Sequence, residues 1–316
     1  MSWFEINSKN YDQKTPNHYK STKFYEKLII ESNWKVLCVC FINKKLKEKI
    51  FLKIYIRKIL FINFLNIPDG FNKSHPKFVY AELILFLKKK FFGIFILLIN
   101  NNECRDLTFN NFKYLKFSTI DNLYKTLPLD ERSLLSSYSK NWRHNYKRSM
   151  KKNLNVKINN SPNKEEIINL SNKFHKFKNK KIYSNFTKDL FSYLKHFKDN
   201  IFHFECRLDD KLLAVRTVLV IKNKSWDLFA LSDELARKNY ANYHLMHKVL
   251  SNLIIKKVKY FDFCGVNYKN NKGVFNFKIG TGCYLLKTNH EFVYSNNIFI
   301  KYFFIIFLYI KRKNYV

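Results

Sequence analysis

The stretch Phe261-Asp-Phe-Cys-Gly-Val266, followed by Gly273-Val-Phe-Asn-Phe-Lys-Ile-Gly-Thr-Gly282, decides how the rest of this chain is read. The sequence holds only six glycines, and four of them (Gly265, Gly273, Gly280 and Gly282) fall here. Glycine is placed where the backbone needs a positive φ or where another group must come close to it. Their clustering around one lysine, Lys278, marks a candidate site. Alternation of Lys278 with Phe277 and Ile279 predicts a strand, with the lysine on the face opposite Phe275, Phe277 and Ile279. A glycine-marked hairpin with a solvated lysine accounts for the same residues. These ten residues alone leave both readings open.

Upstream, strand-like runs come quickly: 201–208, 212–221 and 226–231, separated by Asp209-Asp-Lys211 and Asn223-Lys-Ser225 turns. A helix is predicted over 239–257, then a strand from Tyr260 to Cys264. Asp130 can cap a helix beginning at Glu131. On that helix Leu135, Tyr138, Trp142, Tyr146 and Met150 share one face, and Lys140, Arg143, Lys147 and Lys151 stripe the other. The stripe reads either as a solvated face or as an electropositive wall for a phosphorylated substrate. Ser161-Pro162 opens a further helix, with another ending near Phe197. The first part of the chain reads as strands over 34–42, 50–56 and 60–67, with lysine-rich turns such as 44–47. A helix from Pro76 to Lys90 and a strand over 94–100 follow, then a connection over 110–126.

Three of these segments, in this order, resemble the FemA/FemB/FemX aminoacyltransferases, relatives of the GNAT acyltransferases. Asp-x-x-Gly-Val followed by Phe-Lys-x-Gly-x-Gly is similar to the family's C-terminal signature. The run from Leu127-Pro-Leu-Asp130 through Trp142-Arg-His-Asn-Tyr-Lys-Arg148 is similar to its acid-capped helix. Asp227-Leu-Phe-Ala-Leu-Ser-Asp233 through Asn242 is similar to its strand-then-helix segment. The likeness covers about residues 120–293 and reaches the first 120 only through Ile67-Pro-Asp-Gly70. It implies an α/β (α+β) fold of two GNAT-like subdomains, each a mixed, largely antiparallel sheet flanked by helices. The expected boundaries are 1–120, 121–293 with the catalytic signature, and an apolar, basic tail at 294–316.

The function the resemblance implies is transfer of an amino acid from aminoacyl-tRNA to an amine of a peptidoglycan precursor. The alternatives are N-acylation of a sugar or other cell-envelope intermediate from acyl-CoA or another thioester and, in another class, non-catalytic nucleic-acid binding. By resemblance Lys278 is the cation that steadies the tetrahedral oxyanion. Asp262 is by position a candidate base, or only a pin for its turn. Arg143, Tyr146, Lys147, Gly265, Gly280 and Gly282 are expected at the acceptor, and Arg237 and Lys238 at the donor. GNAT enzymes that use acetyl-CoA carry a glycine-rich pyrophosphate turn. Here the corresponding place reads Arg237-Lys-Asn-Tyr-Ala-Asn242, with neither glycine. The departure moves acetyl-CoA behind tRNA or another activated acyl donor.

Composition bounds the rest. The net charge of +34 invites a polyanion partner. Abundant Lys, Asn, Ile and Phe beside scarce Gly, Pro and Ala also reflect an AT-rich coding sequence, so charge alone identifies nothing. Six cysteines (Cys38, Cys40, Cys104, Cys206, Cys264 and Cys283) show no CxxC pair and no metal spacing with the nine histidines. No metal or resident cofactor is expected, only the co-substrate. His244 and His247, one helical turn apart, read as ordinary helix residues. Met1-Ser-Trp-Phe-Glu begins without an apolar h-region, which predicts a cytoplasmic chain. The run 298–310 is apolar except for Lys301 and is followed by Lys311-Arg-Lys313. As a helix it spans about 20 Å, short of the ~30 Å hydrocarbon core. It fits either a bilayer interface at the inner face of the membrane or the protein's own surface.

Overall fold

The computed structural model describes residues 2–8, 11, 19–43, 48–70, 77–101, 112–115, 120–178, 186–266 and 271–313. The turn expected at 44–47, Pro76, Cys104 and part of the 110–126 connection lie outside them. The chain divides into two compact units, Met1–Asp121 with Lys287–Val316, and Asn122–Leu286.

In chain order the strands and helices begin with β1 (Ser2–Ile6), α1 (Lys23–Glu31), β2 (Lys35–Asn43), β3 (Glu48–Ile59) and β4 (Ile62–Ile67). There follow α2 (Lys77–Lys90), β5 (Ile94–Asn101), β6 (Lys113–Tyr114), β7 (Ile120–Thr126), α3 (Glu131–Ser137), α4 (Lys140–Met150) and β8 (Leu154–Ile158). Next come α5 (Lys164–Lys178), α6 (Phe186–Phe197), β9 (Ile201–Leu208), β10 (Lys211–Ile221), β11 (Lys224–Ser232), α7 (Glu234–Lys238) and α8 (Ala241–Ile255). The last are β12 (Tyr260–Val266), α9 (Lys272–Ile279), β13 (Tyr284–Ser295) and α10 (Ile298–Lys313).

In the first unit the strand order is β1-β2-β3-β4-β5-β13, with β6 also on β13. β1 to β4 pair antiparallel, and β5 lies parallel to β4 after the α2 crossover. Alternation sends Leu37, Val39 and Phe41 of β2 inward with Ile50, Leu52 and Ile54 of β3, where they meet Val79, Tyr80, Leu83 and Leu87 of α2. β13 pairs antiparallel with β5, Phe292 opposite Ile99 and Tyr294 opposite Leu97. Residues 287–293, expected in the second subdomain, therefore belong to the first unit.

The second unit runs β7-β12-β11-β10-β9-β8. β8 to β11 are antiparallel, and β12 lies parallel to β11 after the crossover through α7 and α8. Its core sets Leu245, Met246, Val249, Leu250 and Leu253 of α8 against Phe204 and Cys206 of β9 and Leu213 and Val218 of β10. Each unit is thus an antiparallel meander closed by a helical crossover to a parallel strand.

Two expectations fail here. The helix expected from Glu131 onward breaks at Tyr138. Asp130 caps α3 through the Ser133 N–H (2.7 Å), and Ser139 caps α4 through the Trp142 N–H (3.3 Å). Met150, expected on the apolar face, is exposed. The second failure is larger: the segment read as a strand around Lys278 is the helix α9. Eight residues with apolar side chains at half of their positions (Val274, Phe275, Phe277 and Ile279) satisfy both periods, so periodicity could not separate them. Tertiary contacts do, as Trp142 of α4 donates its indole N–H to the Phe277 carbonyl (3.1 Å) and Ser139 its N–H to the Gly280 carbonyl (2.9 Å).

Candidate active site

β12 and α9 meet in the second unit and bury an ionic cluster. Asp262 points inward from β12 and accepts the Cys264 backbone N–H (2.7 Å) and a hydrogen bond from the Tyr124 hydroxyl of β7. Burial pushes its carboxyl up to about 6, against the pull of Tyr124, the Cys264 amide and Lys278. Cys264 itself holds φ 58, a left-handed conformation that side-chain-bearing residues rarely take. Lys278 lies at the end of α9, facing inward. Its ammonium donates to the carbonyls of Phe263 (2.7 Å) and Gly265 (3.3 Å), two of its three donors. Burial lowers its pKa, and the nearby Asp227 carboxylate opposes that shift most.

The cluster extends to a pair that the sequence reading did not single out. Arg216 of β10 and Asp227 of β11 form a buried ion pair, with the guanidinium also near the Phe277 ring. Burial pushes the Asp227 carboxyl up, and Arg216 and then Lys278 oppose it. Asp227 Oδ1 and Arg216 Nε are buried without a partner among the described residues. Buried polar atoms in native proteins are nearly always satisfied, so open ones beside a buried lysine suit a polar ligand group. A signal for this pair was available: each is the lone charge inside an otherwise apolar strand, VRTV and SWDLF.

A second lysine of the unit is structural. Lys125 of β7 donates to Ser137 Oγ (2.8 Å) and the Thr281 carbonyl (2.5 Å), and burial lowers its pKa to about 8. His247 is buried and bonded to the Tyr138 hydroxyl (3.1 Å) and Glu131 (2.8 Å). Among the described residues no group of three or more His, Cys, Asp and Glu stands together to hold a metal ion.

Two surface depressions flank α4. One, about 540 Å³, is lined by Lys140, Asn141, Arg143, His144 and Lys147. The other, about 430 Å³, is lined by Asn145, Glu234, Arg237, Lys238, Tyr240 and Tyr243. Between α7 and α8, Tyr240 takes φ 57, and Arg148 donates to its hydroxyl (2.9 Å). A tyrosine with an arginine on it thus stands just before the first residue of α8, where an open glycine turn would expose backbone amides.

No family model and no curated protein matches the chain by sequence. Its structure is similar to that of FemX, with TM-score 0.71, 13% identity, and 93% of this chain and 97% of that one covered. A tandem GNAT protein from the clavulanic acid biosynthesis pathway gives TM-score 0.56 at 8% identity, with 94% of this chain and 98% of that one covered. L-PGS from Bacillus licheniformis gives 0.52 at 11%, with 90% and 96% covered. The fold is that of the Fem-like GNAT proteins.

Within this Fem-like fold the expected site residues separate into three groups. Lys278, Asp262 and Gly265 come together on β12 and α9, Gly265 through its carbonyl. Arg143 and Lys147 line the first depression, and Arg237 and Lys238 the second. Tyr146, Gly280 and Gly282 have packing roles in place of those expected at the acceptor. Tyr146 is buried with its ring against His247 (4.1 Å between centroids), because it follows Trp142 at helical spacing on the inward face of α4. A Cβ on Gly280 would lie 2.8 Å from Trp142 Cδ1, and one on Gly282 would lie 2.3 Å from the Ser137 carbonyl oxygen. Gly282 also holds φ 80. Close approach does explain both glycines, but the approaching group is the protein itself.

Proposed function

We propose that this protein is an acyltransferase that moves an amino acid from aminoacyl-tRNA to an amine of a peptidoglycan precursor. The observation that carries the reading is Lys278, buried at the β12–α9 junction beside Asp227 and Asp262, in a chain whose fold matches FemX over most of its length. In this reading the acceptor amine attacks the ester carbonyl of the donor. The C–N bond forms as the carbonyl oxygen becomes an oxyanion, and the Lys278 ammonium offers its remaining donor to it. Collapse breaks the ester C–O bond, and the amine proton leaves with the ribose hydroxyl. Asp227, with one oxygen open, and Asp262 keep the lysine charged against the cost of burial.

The basic depression at Arg143 and Lys147 suits the phosphates of an acceptor precursor. Arg237 and Lys238, beside a turn blocked by Tyr240, suit the donor's polyanion better than the pyrophosphate of a thioester cofactor. The protein works at the inner face of the cell membrane, with α10 in contact with it.

Purified protein is incubated with charged tRNA or with acyl-CoA, each with a precursor, and products are read by mass spectrometry. Amino-acid addition from tRNA alone supports the reading. Transfer from acyl-CoA alone decides against it. Lys278→Met is expected to slow transfer by roughly 10² to 10³-fold; a variant as fast as wild type removes Lys278 from the chemistry.

A further inference from the structure

The first unit carries an apolar corner that its own core does not use. β3 turns into β4 at Leu60 and Phe61, with Leu60 in left-handed backbone (φ 54). β4 lies parallel to β5 with Ile62 opposite Ile94, so the α2–β5 turn with Phe92 stands beside this hairpin tip. α10 begins at the same place. The side chain of Asn296 accepts the Phe95 N–H (3.0 Å) and donates to the Gly93 carbonyl (2.8 Å), two residues before Ile298. Three segments far apart in sequence thus bring large side chains to one corner, with Leu60 83%, Phe61 63%, Phe92 95% and Phe299 83% exposed.

α10 is apolar on two sides, and they have different fates. Phe304, Ile305 and Leu308 pack on Leu98, Leu115 and Val293, with Phe304 also against Phe64. Phe299, Phe303, Ile306 and Ile310, an arc at helical spacing, remain exposed. The docked expectation for the tail describes the first side; the second faces water. Basic residues rim the corner: Arg57 and Lys58 on β3 and Lys88, Lys89 and Lys90 at the end of α2 are exposed. Of these only Lys90 has a carboxylate partner among the described residues, Glu5 at 2.6 Å.

We propose that this corner seats the protein on a bilayer surface containing anionic phospholipid. Leu60, Phe61, Phe92 and Phe299 enter the boundary between headgroups and acyl chains, and the flanking lysines meet the lipid phosphates. Projecting aromatic tips with a lysine rim fit a fluid, anionic interface, which needs no matching pocket for each tip. Among the described residues no helix is long and apolar enough to cross a membrane. The proposal rests on the membrane contact of α10 in the proposed function and extends it to a composite surface. Its test involves no acyl transfer, so the two readings fail separately.

The full-length protein is floated on a density gradient with phosphatidylcholine vesicles, with and without phosphatidylglycerol. Flotation with the anionic vesicles, released by salt, is expected. The triple variant Phe61→Ser, Phe92→Ser, Phe299→Ser should bind them on the order of tenfold or more weakly. Its melting temperature should match wild type, because the replaced side chains are in water. The pair Lys88→Glu, Lys89→Glu, which leaves the apolar tips intact, should lose the preference for phosphatidylglycerol. Wild-type protein that stays at the bottom of the gradient overturns the proposal, as does a triple variant that floats like wild type. A concentration-dependent dimer that the triple variant dissolves, with no flotation, assigns the corner to a second copy and also overturns it.

Discussion

The two units repeat one topology and bury their charges differently. In the first, β2-β3-β4 leads through α2 to the parallel β5; in the second, β9-β10-β11 leads through α8 to the parallel β12. The first unit's sheet buries Lys53, paired with Glu26 (2.9 Å), a carboxylate that still reaches water. The second buries Arg216, Asp227, Asp262 and Lys278 together, with polar atoms left open. A topology that forms around a nearly all-apolar core in one unit does not need that cluster for folding. Burying four ionisable groups costs stability that an apolar core would keep. The cluster is where the protein carries a cost without a structural reason, which is a mark of a functional site.

The sharpest way to break this comparison is to remove one cation from each unit. Arg216→Met strands Asp227 away from water and is expected to cost about 3–5 kcal/mol in a denaturant melt. Lys53→Met leaves Glu26 able to turn to solvent and should cost about 1–2 kcal/mol. Equal losses would mean that the two buried pairs are the same kind of structural feature.

Each unit also has one described glycine at positive φ. Gly93 (φ 86) has nothing within 4 Å of an added Cβ, whereas Gly282 (φ 80) has the Ser137 carbonyl oxygen at 2.3 Å. Gly93→Ala should cost about 1–2 kcal/mol from backbone strain alone. Gly282→Ala adds a backbone collision, for about 3 kcal/mol or more. Thermal melts of the two variants test whether packing, rather than φ, sets the second unit's demand for glycine.

Asp262 gives the second unit a pH signature. Its folded pKa of about 6 lies above the ordinary 3.8, so the stability it contributes is complete below about pH 3.8 and is lost as pH rises through about 6. Asp262→Asn should flatten that part of the stability curve, by up to about 3 kcal/mol across the window. Matching curves for the variant and wild type would place the carboxyl in contact with water.

The smallest effect is expected at the surface. Arg143→Gln with Lys147→Gln should weaken binding of the acceptor precursor modestly and reduce its salt slope by about 1 to 2. The matched pair Lys88→Gln and Lys89→Gln in the first unit should leave the slope unchanged. Equal slopes for both pairs would reduce the stripe on α4 to general positive charge.

Much of this molecule was legible beforehand. The meander 201–231, the α2 crossover and the Asp130 cap came from alternation, helical spacing and an acidic residue before an apolar run. Lys278 and Asp262, which share the buried cluster, stand out in the sequence because glycine is scarce and clustered there. The helix α9 does not, because its short apolar run fits a strand as well as a helix. Arg216 and Asp227 were passed over because a charged residue in a strand ordinarily faces solvent, and only the sheet's register buries both on one side.

By itself the sequence determined the alternation of strand and helix, the clustering of glycines around Lys278, and an apolar tail too short to span a bilayer. Local periodicity and residue chemistry carry that information, since each is written within a few consecutive positions. Only the tertiary structure decided what the glycines at 280 and 282 admit, which side of α10 is used, and that Phe61, Phe92 and Phe299 share one corner. Those facts depend on close packing between segments distant in the chain. A Cβ at Gly282 collides with a carbonyl from Ser137, and no local pattern records that distance.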